Sequence, residues 1–306
     1  MQIPTIRPME PVSREDVFPS DEWLYQVKWD GVRMLAYLDD GHVRLINRKG
    51  RERTDRYPEM VTALSRLPCR SALLDGEIIA MKGGRPDFFE VLKRDLASNR
   101  KNIDGLIQRV PVHYMVFDLL ALKGATLLDQ PLTDRQSLLE ESVPQDPQGK
   151  IQLTDSFDDG PSLWKATQAK GLEGVVMKKR ASVYHPGKKH PAWLKAKHFR
   201  NLTAVAVGVI PGPEGVHSLV LALADKEKGW RYIGRAGSGL SGEERQMLAD
   251  WYPQISVKNP PVFNPPSDPG KEIYWIHPAL AVEVRYLEWT PHATLRSPTI
   301  LGFQRA

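Results

Sequence analysis

Lys28 stands in the stretch V-K-W-D-G-V-R, residues 27–33. The run Trp23 to Trp29 is aromatic and β-branched enough to be a strand. Asp30-Gly31 is a turn signal, and the chain resumes as a strand from Arg33 to Leu38. The lysine is therefore expected at a hairpin-like bend, its amine projecting from a rigid strand end into a space shared with Arg33. That arrangement can present a nucleophile to a phosphate. The same string is also an ordinary edge strand and turn, so its chemistry depends on what accompanies it. Glu77 lies in L-L-D-G-E-I-I-A-M (73–81), an acid with apolar flanks. Buried acids are costly unless paired or bound to a ligand, so Glu77 is either ion-paired or lines a polar pocket. Lys195 and Lys197 in W-L-K-A-K share one face of a short strand by period two. In the basic loop N-R-K-G-R-E-R, which carries Arg48, Arg51 and Arg53, Arg48 can grip a phosphate bidentately as lysine cannot. Read alone, that loop is also a solvated basic turn.

The elements that must position these groups fall into two textures. The 306 residues allow one large domain or two of ordinary size, and an apolar fraction of 41% suffices for packed cores. Residues 1–20 are rich in Pro and charge and read as irregular cover. Asp39-Asp40-Gly41 predicts a hairpin turn into the strand His42 to Asn47, and Tyr57 to Leu67 reads as a helix. The run Val110 to Leu120, V-P-V-H-Y-M-V-F-D-L-L, is a largely buried strand in which Phe117 by itself reads as core. Leu132 to Val143 is a charged helix, Gln145 to Lys150 a polar turn, and residues 160–171 a helix ending at Gly171, a good C′ residue. The strand E-G-V-V-M-K follows, then a basic Pro/Gly segment from Tyr184 to His190, read as mobile, and then W-L-K-A-K.

Near residue 200 the texture changes to short strands at Leu202–Ile210, Leu219–Ala224 and Trp230–Gly234. Ser241-Gly-Glu-Glu244 is a capping-box signature for a helix reaching about Tyr252. A Pro-rich loop from Asn259 to Gly270 precedes strands at Ile273–Ile276 and Ala281–Trp289. Three strands, a helix and two strands is the layout of an OB barrel. The expected architecture is an α+β domain over 1–199 followed by an all-β OB domain over 200–306.

Composition bounds the partners. A formal charge of +5 and a pI near 9.1 favour a polyanion such as nucleic acid, with a merely solvated basic surface as the alternative. The single cysteine, Cys69, excludes an intramolecular disulfide and a Cys-rich zinc site. No apolar run is long enough to span a bilayer, and Met1–Glu10 lacks a signal-peptide apolar region, which points to the cytosol.

Taken in chain order, the strings resemble the covalent nucleotidyltransferases: K-x-D-G-x-R with motif I, D-G-E with motif III, F-D-L-L with motif IIIa, E-G-V-V-M-K with motif IV and K-A-K with motif V. Together with Y-I-G-R-A-G-S-G and the ending E-V-R-Y-L-E-W-T…L-R-S-P, they resemble the ATP-dependent DNA ligases over nearly the whole chain. The likeness is strongest to the ligase module of bacterial multifunctional end-joining enzymes. The resemblance implies an α+β nucleotidyltransferase (adenylation) domain and an OB domain, acting through AMP parked on Lys28, then on a DNA 5′-phosphate, until a 3′-hydroxyl displaces it. It implies that Arg33, Arg48, Lys195, Lys197 and Arg296 contact ATP, that Phe117 stacks on the purine, and that Glu77 helps fix the ribose. Glu173, with Glu77, would contact Mg2+ or Mn2+, and Arg48, Arg51 and Arg53 would face DNA. The implied partners are nicked double-stranded DNA, with end-joining proteins or a fused polymerase module, and the implied state is a bacterial cytoplasmic, nucleoid-associated monomer.

Attack on the α-phosphorus needs a neutral lysine, whose ordinary pKa is about 10.4. Arg33, Lys195, Lys197 and the metal are expected to disfavour the charged form of Lys28 and to neutralise charge in the transition state. Two positions depart from the family. Relatives carry Glu two residues before the lysine, contacting the adenine amino group, where Gln26 stands here; its amide oxygen can still accept that bond. Motif VI in relatives continues to G-x-R, but here Arg296 matches while Gln304 stands at the second Arg, beside Arg305. An RNA ligase or mRNA capping guanylyltransferase shares motifs I to V. A non-catalytic OB nucleic-acid-binding protein is the reading of another class, opposed by the retention of Lys28, Glu77, Glu173 and both motif V lysines.

Overall fold

The computed structural model describes residues 5–144, 149–267 and 272–305. Residues 145–148 of the expected polar turn and 268–270 of the Pro-rich loop lie outside that set. The chain divides into two compact units, Met1–His198 and Phe199–Ala306.

In chain order the first unit comprises β1 (Glu10–Ser13), β2 (Trp23–Val27), β3 (Val32–Asp39), β4 (His42–Asn47), α1 (Pro58–Leu64), β5 (Ser71–Lys82), β6 (Arg85–Pro86), α2 (Phe88–Leu96), α3 (Arg100–Arg109) and β7 (Val112–Leu122). It continues with β8 (Ala125–Thr126), α4 (Leu132–Ser142), β9 (Ile151–Leu153), β10 (Ser156–Phe157), α5 (Gly160–Ala169), β11 (Gly174–Lys179) and β12 (Lys189–Lys197). Two sheets result. One runs β1-β12-β11-β2-β10; the other runs β4-β3-β5-β7-β8, with β9 added beside β7. The second sheet buries Met34, Ala36, Leu45, Leu74, Ile78 and Val116 with Tyr57, which precedes α1, and with Met60, Val91 and Leu139 from the helices. Its alternate residues Leu35, Tyr37, Leu73 and Phe117 form a separate cluster with Met9, Tyr184 and Trp193, which come from the other sheet and its connections. The period-two alternation thus feeds both faces of one sheet.

In this unit three expectations change. Lys28–Gly31 is not a hairpin: β2 pairs with β10 and β11, while β3 pairs with β4 and β5, so the chain crosses there from one sheet to the other. Gly31 permits the crossing, because a Cβ there would lie 2.2 Å from the Ile78 carbonyl oxygen. Part of residues 1–20 is a strand, β1, parallel to β12. Tyr184, at the head of the segment expected to be mobile, is 2% exposed. The Asp40-Gly41 hairpin is present, with both residues at positive φ (44° and 90°), as a tight two-residue turn requires.

The second unit comprises β13 (Arg200–Gly212), β14 (Gly215–Asp225), β15 (Gly229–Ala236), α6 (Gly242–Trp251), β16 (Tyr274–Tyr286), β17 (Glu288–Trp289), β18 (Leu295–Arg296) and β19 (Thr299–Arg305). The order β15-β14-β13-β16-β19, with α6 between β15 and β16 in the chain, is an OB fold. A bridge between Ser238 and Thr299 links its two ends. The Ser241–Glu244 capping box is formed. The two strands expected after the Pro-rich loop are one, because β16 runs through Pro278 at a bulge where the β13 register shifts between Ala206 and Gly208.

Candidate active site

The backbone around Lys28 is held on three sides. Its amide donates to the Gly174 carbonyl (2.9 Å), the Trp29 indole donates to Thr154 Oγ1 (3.0 Å), and Gly31 lies against β5. Gly174 is itself forced: its φ is +153°, and a Cβ would meet the Ala196 carbonyl oxygen at 2.0 Å. The cross-strand register Gln26↔Val176↔Lys195, with Gly174↔Lys197 and Lys178↔Trp193 beside it, sets Gln26, Lys178, Trp193, Lys195 and Lys197 on one face.

Glu173 binds two ammonium groups. Its Oε2 accepts from Lys28 Nζ at 2.5 Å and its Oε1 pairs with Lys197 Nζ at 2.7 Å, while its own side chain is 3% exposed. Burial pushes the Glu173 carboxyl upward, but Lys28 and Lys197 outweigh it and hold the group below the usual carboxylate range. For Lys28 burial acts downward, yet Glu173 and Glu77 prevail and raise its pKa. The expected depression of Lys28 by neighbouring cations is therefore reversed: the acids beside it prevail. Arg33 cannot supply it: its Nε and Nη2 both reach Asp75 at 2.6 Å, and Asp75, fully buried, also accepts from the Tyr184 hydroxyl (2.7 Å). The paired acid of the D-G-E string is thus Asp75. Glu77 is pushed up to about 7 by burial and by Glu173 and Asp30, against Lys28 and Arg33. Lys195 is lowered by burial and by Lys28 and Lys197; among the described residues its ammonium makes no ion pair.

Phe117 is 9% exposed, and its ring lies 4.5 Å from the Arg33 guanidinium carbon and 4.3 Å from Lys178 Nζ. Gln26 is 2% exposed and bonds to Gln136 and Ser156. Arg48 is exposed and pairs weakly with Glu10 (3.6 Å). Arg51 is exposed, whereas Arg53 is drawn away to Asp95 (3.2 Å) and lines a separate cleft with Arg56 and Arg100. In the second unit Arg296 pairs with Glu288 at 2.6 Å, and Gln304 bonds Glu283. Sequence reasoning missed Gln136, Ser156, Lys178 and Trp193. Lys178 and Trp193 were reachable by counting in twos from Val176 and Lys195; Gln136 carried no local signal.

Residues 10–197 match the family described as the ATP dependent DNA ligase domain, and residues 212–305 match its C-terminal region. This chain belongs to the ATP-dependent DNA ligase family. It is 32% identical over 291 residues to the multifunctional non-homologous end joining protein LigD of Mycobacterium bovis, which covers 93% of this chain and 36% of that protein. The chain thus spans about a third of the length of such relatives. It is 30% identical over 265 residues to DNA ligase C1 of Mycolicibacterium smegmatis, covering 83% of this chain and 75% of that one. A solved mycobacterial DNA ligase D complexed with ATP and MES matches at 30% identity and a TM-score of 0.57, covering 98% of this chain and 95% of that one.

Family membership implies ATP and a divalent metal. The donor chemistry suits the metal: Glu77 and Glu173 are hard oxygen ligands, and the charge of Glu173 helps to raise the Glu77 pKa; among the described residues no group of three or more His, Cys, Asp or Glu side chains could by itself hold a metal ion. Mg2+ is commonly held in this way, through one or two carboxylates plus substrate phosphates. No helix among the described residues is long and apolar enough to cross a membrane.

Proposed function

We propose that this chain seals 5′-phosphate/3′-hydroxyl nicks in duplex DNA with ATP, using Lys28 as the nucleophile. The observation that carries the reading is the Lys28–Glu173–Lys197 bridge on a braced strand end, with Lys195 and Glu77 beside it. In the first step Lys28 Nζ bonds to the α-phosphorus of ATP and the bond to pyrophosphate breaks. Glu173 Oε2, already hydrogen-bonded to Nζ, is positioned to take the proton that the amine must lose. Lys195 and Lys197 would face the phosphate oxygens, where charge gathers in the transition state. A divalent metal held by Glu77 would supply Lewis-acid stabilisation of the same oxygens, and Glu173, whose two oxygens pair with Lys28 and Lys197, would join it only on giving up one of those pairs. Gln26 would read the base and Phe117 would flank it, while Asp75 keeps Arg33 aligned. In the second step a DNA 5′-phosphate oxygen attacks the adenylate, breaking the N–P bond and freeing Lys28. In the third the 3′-hydroxyl attacks the 5′-phosphorus and AMP leaves. Roles in end joining, and partners within such a pathway, are supported only by the relatives' names.

The test is incubation with α-labelled ATP or GTP and magnesium, followed by denaturing electrophoresis. Label from ATP should appear on the wild-type chain and vanish in Lys28→Ala, while that variant still binds nicked DNA. Undiminished label in the variant would end the mechanism, and label from GTP would redirect it to capping chemistry.

A further inference from the structure

We propose that Gln136 acts as a positioning residue that fixes the hydrogen-bond polarity of Gln26 and so makes the base pocket selective for a 6-amino purine. The inference rests on the reading of Gln26 as base-facing and adds a residue on which that selectivity depends.

The argument begins with a bulge. In the β5–β7 ladder Gly76 faces Val116 and Asp75 faces Asp118, so Phe117 is the extra, unpaired residue. Its carbonyl instead accepts from Gln136 Nε2 (2.8 Å) and Lys178 Nζ (3.1 Å). A backbone carbonyl can only accept, so the amide nitrogen of Gln136 must be the atom turned toward it. That choice turns Gln136 Oε1 toward Gln26, which must then present its own Nε2 (3.3 Å). Ser156 closes the triangle, its hydroxyl accepting from Gln26 Nε2 (3.0 Å) and donating to Gln136 Oε1 (3.4 Å). A flip of the Gln136 amide would set two acceptors face to face at Phe117. A flip of Gln26 alone would do the same at Gln136.

Gln26 is therefore held with Nε2 spent and Oε1 turned the other way, and among the described residues that oxygen accepts nothing. An acceptor suits the exocyclic amine of adenine and opposes the 6-oxo group of guanine or hypoxanthine. Sites that hydrogen-bond a substrate group discriminate strongly against analogues that lack it, since a buried polar group is then left unpaired. A glutamate at position 26 would accept from either oxygen and need no such lock. A glutamine, which can offer either a donor or an acceptor, needs one. Position 26 therefore depends on position 136.

Adduct formation by the full chain would be measured with α-labelled ATP, ITP and purine riboside triphosphate, which carry a 6-amino group, a 6-oxo group and hydrogen respectively. Gln136→Leu should lower the ATP-over-ITP preference about tenfold, the loss of one oriented hydrogen bond, chiefly through KM for ATP. Ser156→Ala, at an exposed position, should give a smaller fall in the same direction and guards against a folding defect in the first variant. In a Gln26→Glu background Gln136→Leu should leave the preference unchanged. Equal slowing of ATP and ITP by Gln136→Leu would overturn the proposal, as would an equal loss of preference in the Gln26→Glu background. A wild-type chain that takes no label from ATP would instead sink the nucleotidyl-transfer reading, and this proposal with it.

Discussion

Lys178 should be neutral above about pH 7, and replacing it should reveal this as a pH-dependent stability difference. The residue is 2% exposed, with its ammonium 4.3 and 4.2 Å from the Phe117 and Trp193 ring centroids. Burial pushes its pKa down to about 7, with Arg33 and Arg135 acting the same way and Asp118 and Asp75 opposing. Below pH 7 both folded and unfolded chains hold the proton. From pH 7 upward the folded chain releases it while the unfolded lysine, with a pKa of about 10.4, keeps it, so stability rises with pH. At about 1.36 kcal/mol per pKa unit, and with the group half-titrated at pH 7, the gain between pH 7 and pH 9 is about 2.3 kcal/mol. The neutral amine still donates to the Phe117 carbonyl, so that bond survives the change. Lys178→Met fills the same volume without titrating. Denaturant unfolding of both proteins at pH 6, 7, 8 and 9 should give a wild-type-minus-variant difference that is flat below pH 7 and climbs above it. A difference flat to pH 9 would refute the reasoning, showing that the two rings and Asp118 hold the ammonium charged against its burial; such ring contacts can supply about 2 kcal/mol when desolvated.

Lys195→Ala and Lys197→Ala should each slow lysyl-adenylate formation by about two orders of magnitude in single-turnover labelling, as expected for loss of one electrostatic donor. Arginine at either position should rescue only partly, since its planar fork is not a point charge. Gly174→Ala, which drives a Cβ to 2.0 Å from the Ala196 oxygen, should cost at least about 2 kcal/mol in thermal unfolding and disturb the register that sets Lys197 beside Glu173. A stable, active Gly174→Ala protein would show that the β11–β12 approach is looser than described.

The order of motifs was readable because the candidate site residues lie within strands, as Glu77, Lys195 and Lys197 do, or directly at strand ends, as Lys28 does after β2 and Glu173 before β11. Lys195 and Lys197 could be assigned to one face from W-L-K-A-K alone, and the register against Val176 and Gly174 agrees. What could not be read was pairing at long range. Asp75 and Glu77 are both acids two residues apart, and only the arrival of Arg33 from β3 and of Tyr184 from 109 residues away makes Asp75 the neutralised one. The hairpin expected at Asp30-Gly31 failed for a similar reason, since a turn signal does not say whether the next strand rejoins the same sheet. Gln136 lies in a helix of weak amphipathicity, between Arg135 and Ser137, and its partners Gln26 and Phe117 belong to β2 and β7. No local pattern could have joined them.

The charge arrangement also bears on the proposed reaction of Lys28. Glu173 neutralises Lys28 and Lys197 together, so the protein alone favours an ammonium at position 28. An arriving triphosphate competes for Lys197, because its oxygens offer more negative charge than one carboxylate. Drawing Lys197 away removes one of the two cations that hold the Glu173 pKa down. Proton affinity then shifts from Nζ toward Oε2 at a separation already 2.5 Å. On the proposed mechanism the nucleotide's own charge would help to prepare Lys28 for attack, and Arg33, locked to Asp75, would serve the geometry of the cleft without taking part in that exchange.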